Sequence, residues 1–232
     1  MPSSTTRQRR DHVAFDPTLG LDAQKKSLRA SEQDPVSRAA FQARLQTRPA
    51  EDFVIIDECG SNLNLTPRYA RAPRGARAYG AVPRNTPPNT TVIASLSLQG
   101  IGPSVLMPGR TDGLAFEAYI EQVLAPTLRP GQVVVLDNLS VHHSARVAQL
   151  IRARDCELWF LPSYSPDLSP IEQAFAKFKQ TLRRAGARTL EALYEAISQA
   201  LPTISAQDAL GFFLACGYPA PNARASSLCI PL

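Results

Sequence analysis

Apolar residues recur along this chain in short runs, some continuous and some at helical spacing. FVII (53–56), closed by Asp57, is an unbroken aliphatic run and reads as a strand buried on both faces. TTVIASLSLQG (90–100) and PSVLMPG (103–109) read as two more strands, with a turn at Gly100 to Gly102. GLAFEAYIEQVLAPTL (113–128) repeats Phe116, Ile120 and Leu124 at helical spacing. VVVLDN (133–138) is a second fully apolar strand. SARVAQLIRAR (144–154) is a helix with Val147, Leu150 and Ile151 inward, and CELWFLP (156–162) is a strand that carries Trp159 into the core. PIEQAFAKFKQTLRRA (170–185) is an amphipathic helix with Ile171, Ala174, Phe175, Phe178 and Leu182 as its apolar stripe, and two further helices follow over 189–201 and 205–216. This order predicts an α/β domain: a mixed five-stranded sheet with helices on both faces.

The flanks and one internal stretch lack this regularity. Residues 1–20, with Arg7, Arg9 and Arg10, read as a loosely held basic arm, and one or two short helices interrupted by Pro35 follow between Asp22 and Arg48. Residues 59–89 hold five arginines (Arg68, Arg71, Arg74, Arg77 and Arg84) among prolines and glycines. A long irregular excursion of this kind serves function more often than packing. The expected division is an arm with linker helices over 1–50, one α/β domain over 51–216 and a tail over 217–232.

Composition sharpens the class. A chain of 232 residues with 44% hydrophobic and 19% charged residues buries a real core, and its formal charge of +5 favours an anionic partner. Arginine carries most of that charge and suits forked contacts to phosphate oxygens. No apolar run approaches the roughly 18 residues of a membrane span, so no membrane partner is expected, and the polar start lacks a secretory signal. Cys59, Cys156, Cys216 and Cys229 lack metal-finger spacing and read as reduced thiols, which implies a cytoplasmic protein.

Three carboxylates carry the chemistry. Asp57 and Asp137 each end an aliphatic run, where parallel strands deliver functional groups; if the two strands are adjacent and parallel, the two acids converge. The plain alternative is that each aspartate only starts a turn. Glu172 also has a plain reading: Ser169, Pro170 and Glu172 make a capping-box start. Helical phase offers the other one, since Glu172 shares a strip with Ala176, Lys179 and Arg183 at the edge of the apolar stripe, suited to a phosphate backbone. Three acids brought together repel unless cations intervene, and two Mg²⁺ (or Mn²⁺) ions would serve a phosphoryl transfer there. Glu58 points to the opposite strand face and reads as a supporting or solvent residue, Asp167 as a turn residue. Asn138 beside Asp137 reads as steadying a metal-bound water or simply forming the turn, and His142 as a loop histidine near DNA or a helix-start residue; both are candidates to support the site from behind the carboxylates. A zinc site built on His142 and His143 with cysteines lacks ligand spacing.

IDECGSNLNLTPRYARAPRGARAYG, VVVLDNLSVHHSARV and LPSYSPDLSPIEQAFAKFK resemble successive motifs of the insertion-sequence-630 group of bacterial transposases, within the mariner superfamily. The similarity runs from about Lys25 to Tyr218. It implies a ribonuclease-H-like domain with an Asp–Asp–Glu triad at Asp57, Asp137 and Glu172, two divalent ions, cleavage of double-stranded DNA at transposon ends, and attack of the freed 3′-hydroxyl on target DNA. Arg68, Arg71, Arg74 and Arg77 in the loop, with Lys179 and Arg183, would contact DNA phosphates, and the loop would reach a partner subunit in a homodimer. Two departures from the family pattern stand out. No pair of helix-turn-helix motifs is legible ahead of the first strand, which leaves three readings open: the catalytic half of a split reading frame, a truncated copy, or a product that needs a separate helix-turn-helix polypeptide. Ala72 stands where relatives carry an aromatic residue. A nuclease or resolvase of the same fold that does not join strands, and an inactive DNA-binding protein, are the alternatives.

Overall fold

The computed structural model of the protein describes residues 30–139 and 142–221. Five strands form one sheet in the order β3-β2-β1-β4-β5: β1 (Phe53–Ser61), β2 (Thr90–Ser97), β3 (Gly100–Pro108), β4 (Val133–Leu136) and β5 (Glu157–Phe160). The first three make an antiparallel meander, while β4 pairs parallel to β1 and β5 parallel to β4. The expected mixed sheet is therefore present, with β1 and β4 adjacent and parallel.

Helices cover both faces. Phe53, Ile55 and Cys59 of β1 pack under α1 (Pro35–Leu45), α4 (Pro170–Ala185), α5 (Leu190–Ala200) and α6 (Ala206–Ala215). Val54 and Ile56, one residue out of phase, pack with α2 (Gly113–Tyr119) and α3 (Ala145–Arg152). The period-two alternation of one strand thus feeds two cores, which is why β1 reads as continuously apolar. Helix α4 keeps Ile171, Ala174, Phe175, Phe178 and Leu182 buried, as its spacing predicts, and ends at Gly186 in the left-handed conformation (φ 61).

Several local expectations are corrected. Pro35 does not interrupt a helix. It opens α1, with Asp34 as the N-cap accepting from the Val36 and Ser37 amides. Helix α1 also supplies Phe41 and Leu45 to the first core. The β2–β3 turn lies at Leu98 and Gln99, with Ser97 paired to Gly100. Gly100 has φ 104, and a Cβ there would lie 2.7 Å from the Ile204 carbonyl oxygen, so the turn and the close approach both need glycine. The helix expected over 113–128 is α-helical only to Tyr119. It continues as a π turn over Ile120–Leu124 and a 3-10 turn over Ala125–Thr127, where Pro126 has no amide to donate. Tyr218, expected in a tail, is buried and meets Phe53 and Phe213 edge-on at centroid distances of 5.0 Å each. The basic arm, Leu28 and Cys229 lie outside the described residues.

Candidate active site

Strand lengths decide where the acids sit. β4 stops at Leu136, so Asp137 leaves the sheet directly after its last paired residue. Asp57 is different from the expectation: β1 runs on to Ser61, and Asp57 lies within the strand, opposite Ala94 of β2. Pairing of β1 with β4 ends at Ile55 with Val135. Beyond that point β1 has a neighbour on one side only, and the space vacated by β4 becomes a cleft. Asp57 is thus delivered by the shortness of its partner strand.

Asp57, Asp137 and Glu172 line this one cleft of about 420 Å³, together with Glu58, Asn138 and the segment from Leu161 to Pro166. The acids are electrostatically coupled. The pKa of Asp57 is pushed up to about 7, first by burial and then by the charges of Glu172, Asp137 and Glu58, against the bond from the Glu58 amide at 2.7 Å. Glu172 stands exposed at the start of α4. Ser169 occupies the N-cap position, but its side chain makes no cap hydrogen bond, so the capping box expected at this helix is not formed. That box appears instead at α6, between Ser205 and Asp208. The Glu172 carboxylate therefore faces the cleft without a capping duty.

Supporting contacts surround Asp137. Its Oδ1 accepts from the Leu139 amide at 3.2 Å, a turn contact, so the plain reading of this aspartate also holds. The same oxygen lies 2.5 Å from Nδ1 of His142, whose Nε2 lies 3.3 Å from Glu58 Oε1. His142 is 1% exposed and its ring packs on Phe116 at 4.4 Å. Burial, the largest influence, would lower the His142 pKa, yet the hydrogen bonds and charges of Asp137 and Glu58 together raise it to about 9. An imidazolium wedged between two carboxylates fixes the orientation of Asp137. Asn138 donates to Ser163 Oγ at 2.9 Å and lies 2.7 Å from His143 Nε2, tying the Asp137 loop to the opposite wall. Glu58 is on the strand face opposite Asp57, as alternation requires, and reaches the site through His142. The sequence had no signal for that link beyond the Glu58 position itself.

A second groove, about 560 Å³, adjoins the first through Glu172, and is lined by Arg68, Tyr69, Lys179, Gln180, Arg183 and Arg184 among others. The strip Glu172, Ala176, Lys179, Arg183 expected from helical phase forms its floor. Arg68 comes from the long loop, whose root is held by Arg188 donating to the Leu63 and Leu65 carbonyls at 3.1 and 3.0 Å. Arg71, Arg74 and Arg77 are exposed farther along this irregular segment and do not line the groove. Lys179 also reaches the Cys59 thiol, whose pKa burial nevertheless pushes up to about 11.

The donors in the cleft are hard oxygens, suited to Mg²⁺ or Mn²⁺ and not to zinc-type sulfur and nitrogen ligation. Among the described residues no three His, Cys, Asp or Glu side chains are grouped so as to hold one metal ion. Asp137 and Glu172 both act on Asp57 through their charges, and all three carboxylates line the one cleft.

A mixed five-stranded sheet of this order, with helices on both faces and acids where β4 leaves β1, is a ribonuclease-H-like fold. The model of the DDE superfamily endonucleases matches residues 52–194, more than half of the chain, and the chain belongs to that family. Among solved structures it is similar to the Mos1 transposase paired-end complex with left transposon end, at TM-score 0.70 and 15% identity, covering 87% of this chain and 65% of that one. The Mos1 mariner paired-end complex with Mn gives TM-score 0.63 and 15% identity over 87% and 65%. The catalytic domain of Mos1 mariner transposase gives TM-score 0.54 and 14% identity over 78% and 83%. The chain thus spans just under two thirds of the transposase chains in the paired-end complexes, and at these identities the likeness is one of fold. No curated protein matches the chain.

Proposed function

We propose that this chain is the catalytic domain of a transposase of the insertion-sequence-630 group, within the mariner superfamily, which cuts double-stranded DNA at the ends of its element and joins the freed end to target DNA with divalent metal. The observation that carries this reading is the convergence of Asp57, Asp137 and Glu172 on one cleft, with Asp57 held near neutrality by burial and by its acidic neighbours. The Mos1 complexes with transposon ends, and with Mn and Mg, support DNA ends as substrate and a divalent ion as cofactor.

Asp57 and Asp137 would hold one ion, and Asp57 and Glu172 the second. When bound, such ions supply positive charge against the attacking and leaving oxygens of a phosphodiester. The chain's own work is positioning. β1 and β4 set Asp57 and Asp137 on a rigid sheet, His142 orients Asp137, and Arg68, Lys179 and Arg183 bind backbone phosphates beside the acids. In cleavage a water oxygen bonds to phosphorus, the P–O3′ bond breaks and the 3′ oxygen takes a proton. In joining, that 3′-hydroxyl bonds to a target phosphorus and displaces the target's 3′ oxygen. Both are in-line displacements at phosphorus, so one set of residues serves both. A homodimer on DNA, with the transposon ends recognised by helix-turn-helix modules, completes the proposal.

Incubating the chain with labelled DNA ends and Mg²⁺ or Mn²⁺ tests it. Nicking followed by joining is the expected outcome. Nicking without joining would make it a ribonuclease-H-like nuclease or resolvase, and binding alone a repurposed DNA-binding protein.

A further inference from the structure

The wall of the cleft opposite Asp137 contains a residue in an unfavourable conformation. Tyr164 has φ 56, a left-handed backbone that a bulky side chain rarely adopts. Burial does not compensate for it, because the residue is 59% exposed. The conformation is imposed by its surroundings. Gln33 Nε2 donates to the Tyr164 carbonyl at 2.6 Å, Ser165 Oγ donates to the Ser163 carbonyl at 3.1 Å, and Asn138 holds Ser163 Oγ. Arg38 adds a forked pair to Asp167, at 2.9 and 2.6 Å. Strain held in place by this many contacts, at the rim of a reaction site, points to a function for the side chain it displays.

The chemistry of the cleft says which function. Its lining holds Asp57, Glu58, Asp137 and Glu172 and no lysine or arginine; the basic residues stand in the adjoining groove. The flanking backbone phosphates are therefore gripped in the groove, the scissile one meets the acids, and the rest of the cleft wall, from Leu161 to Pro166 with Leu139, carries no charged side chain. Tyr164 supplies an aromatic face there, and Leu139, 55% exposed on the Asp137 loop, supplies an aliphatic one. Of the uncharged parts of DNA, the base faces are the flat aromatic ones that match a tyrosine ring, and in a duplex they are hidden by stacking. We infer that Tyr164 is a stacking platform for a nucleobase unstacked from the DNA next to the cleaved phosphodiester, with Leu139 flanking the same base. The inference rests on the DNA-cleaving reading above and specifies its substrate: a DNA end with one nucleotide opened beside the scissile bond.

A binding cycle tests it on the full chain. Fluorescein-labelled DNA duplexes are prepared in which one nucleotide at a time, near the cleaved bond, is replaced by an abasic one. Affinity is read by anisotropy for the wild type, Tyr164→Ala, Tyr164→Gly and Tyr164→Trp. On intact DNA both Tyr164→Ala and Tyr164→Gly are expected to weaken binding about 10-fold, and Tyr164→Trp to retain it. At one abasic position that difference should vanish, since no base remains to stack. Equal affinity of wild type and Tyr164→Ala on intact DNA overturns the inference, as does a loss that is the same at every abasic position. Tyr164→Gly relieves the backbone strain, so affinity that survives in Tyr164→Gly but not in Tyr164→Ala would assign the effect to the backbone and also overturn it. The affinity cycle needs no cutting: coupling without Mg²⁺- or Mn²⁺-dependent cleavage sinks the DNA-cleaving reading alone, and cleavage without coupling sinks the stacking inference alone.

Discussion

Asp57 and Glu172 meet the same cleft but differ in how much of their setting belongs to folding. Glu172 is exposed and takes no part in capping α4. Glu172→Ala should therefore change stability by no more than about 0.5 kcal/mol, while metal-dependent DNA cutting should be lost. Urea melts and a cleavage assay on the same preparation check both halves, and a destabilised variant would restore the capping explanation. Asp57 is an acid whose folded pKa is raised from 3.8 to about 7. Between those values the folded chain holds a proton that the unfolded chain has released, so this residue makes the metal-free protein less stable as pH rises toward 7, with the full cost present above it. Asp57→Asn removes the cost. Without metal it should be more stable than wild type above pH 7 by about 1–3 kcal/mol, with the gap closing in acid, and it should no longer cut DNA. Identical melting curves for the two proteins at every pH would contradict the shift. His142 moves stability in the same direction with pH, over a higher window. Its pKa is raised to about 9, so its contribution is complete below about 6.5 and is lost as pH climbs through 9.

At the scale of elements, α4 joins the acids to the basic groove. Glu172 begins the strip and Lys179 and Arg183 continue it, because residues three and four apart share a helix face. Arg183→Ala should weaken DNA binding across sequences and lower the slope of log affinity against log salt by about 1, leaving the melting temperature unchanged. An unaltered slope would remove Arg183 from the phosphate contacts. The strip was legible in the sequence because period and polarity fix a helix face without tertiary information. Two aliphatic runs predict two buried strands but not that they are neighbours; the parallel pairing of β1 with β4 stood as a condition and is supplied by the structure. The place where β1 ends was not legible either. Glu58, Gly60 and Ser61 look like the start of a loop, and only pairing with β2 reveals that the strand continues through them. The Leu98–Gln99 turn was misplaced because two nearby glycines suggested it, whereas Gly100 is needed for its positive φ and its approach to Ile204. The Tyr164 conformation had no sequence signal, since it results from contacts with Gln33 and the Ser163–Ser165 turn.

For the molecule as a whole, the two cores meet at β1, and the face under α4 extends to both ends of the described chain. Phe41 and Leu45 close it from α1, and Tyr218 closes it from beyond α6. Tyr218 carried no signal because a single aromatic among glycine and proline reads as a tail, while its burial depends on Phe53 and Phe213, distant in sequence. Tyr218→Ala should cost about 3–5 kcal/mol, measured as a shift in the denaturation midpoint; a shift within error would mean that this aromatic contact does not hold the core together. Across the sheet, the acidic cleft and the basic groove lie side by side and share Glu172. On the proposed function, this arrangement would let the basic side chains hold backbone phosphates while the scissile one is presented to the carboxylates.

The most direct test of this account is anomalous diffraction from crystals of the full chain grown with Mn²⁺. Manganese peaks are expected between Asp57 and Asp137 and between Asp57 and Glu172, and both should disappear in Asp57→Asn. Peaks absent from the cleft at Mn²⁺ concentrations that support DNA cutting, or ligated by other residues, would contradict it.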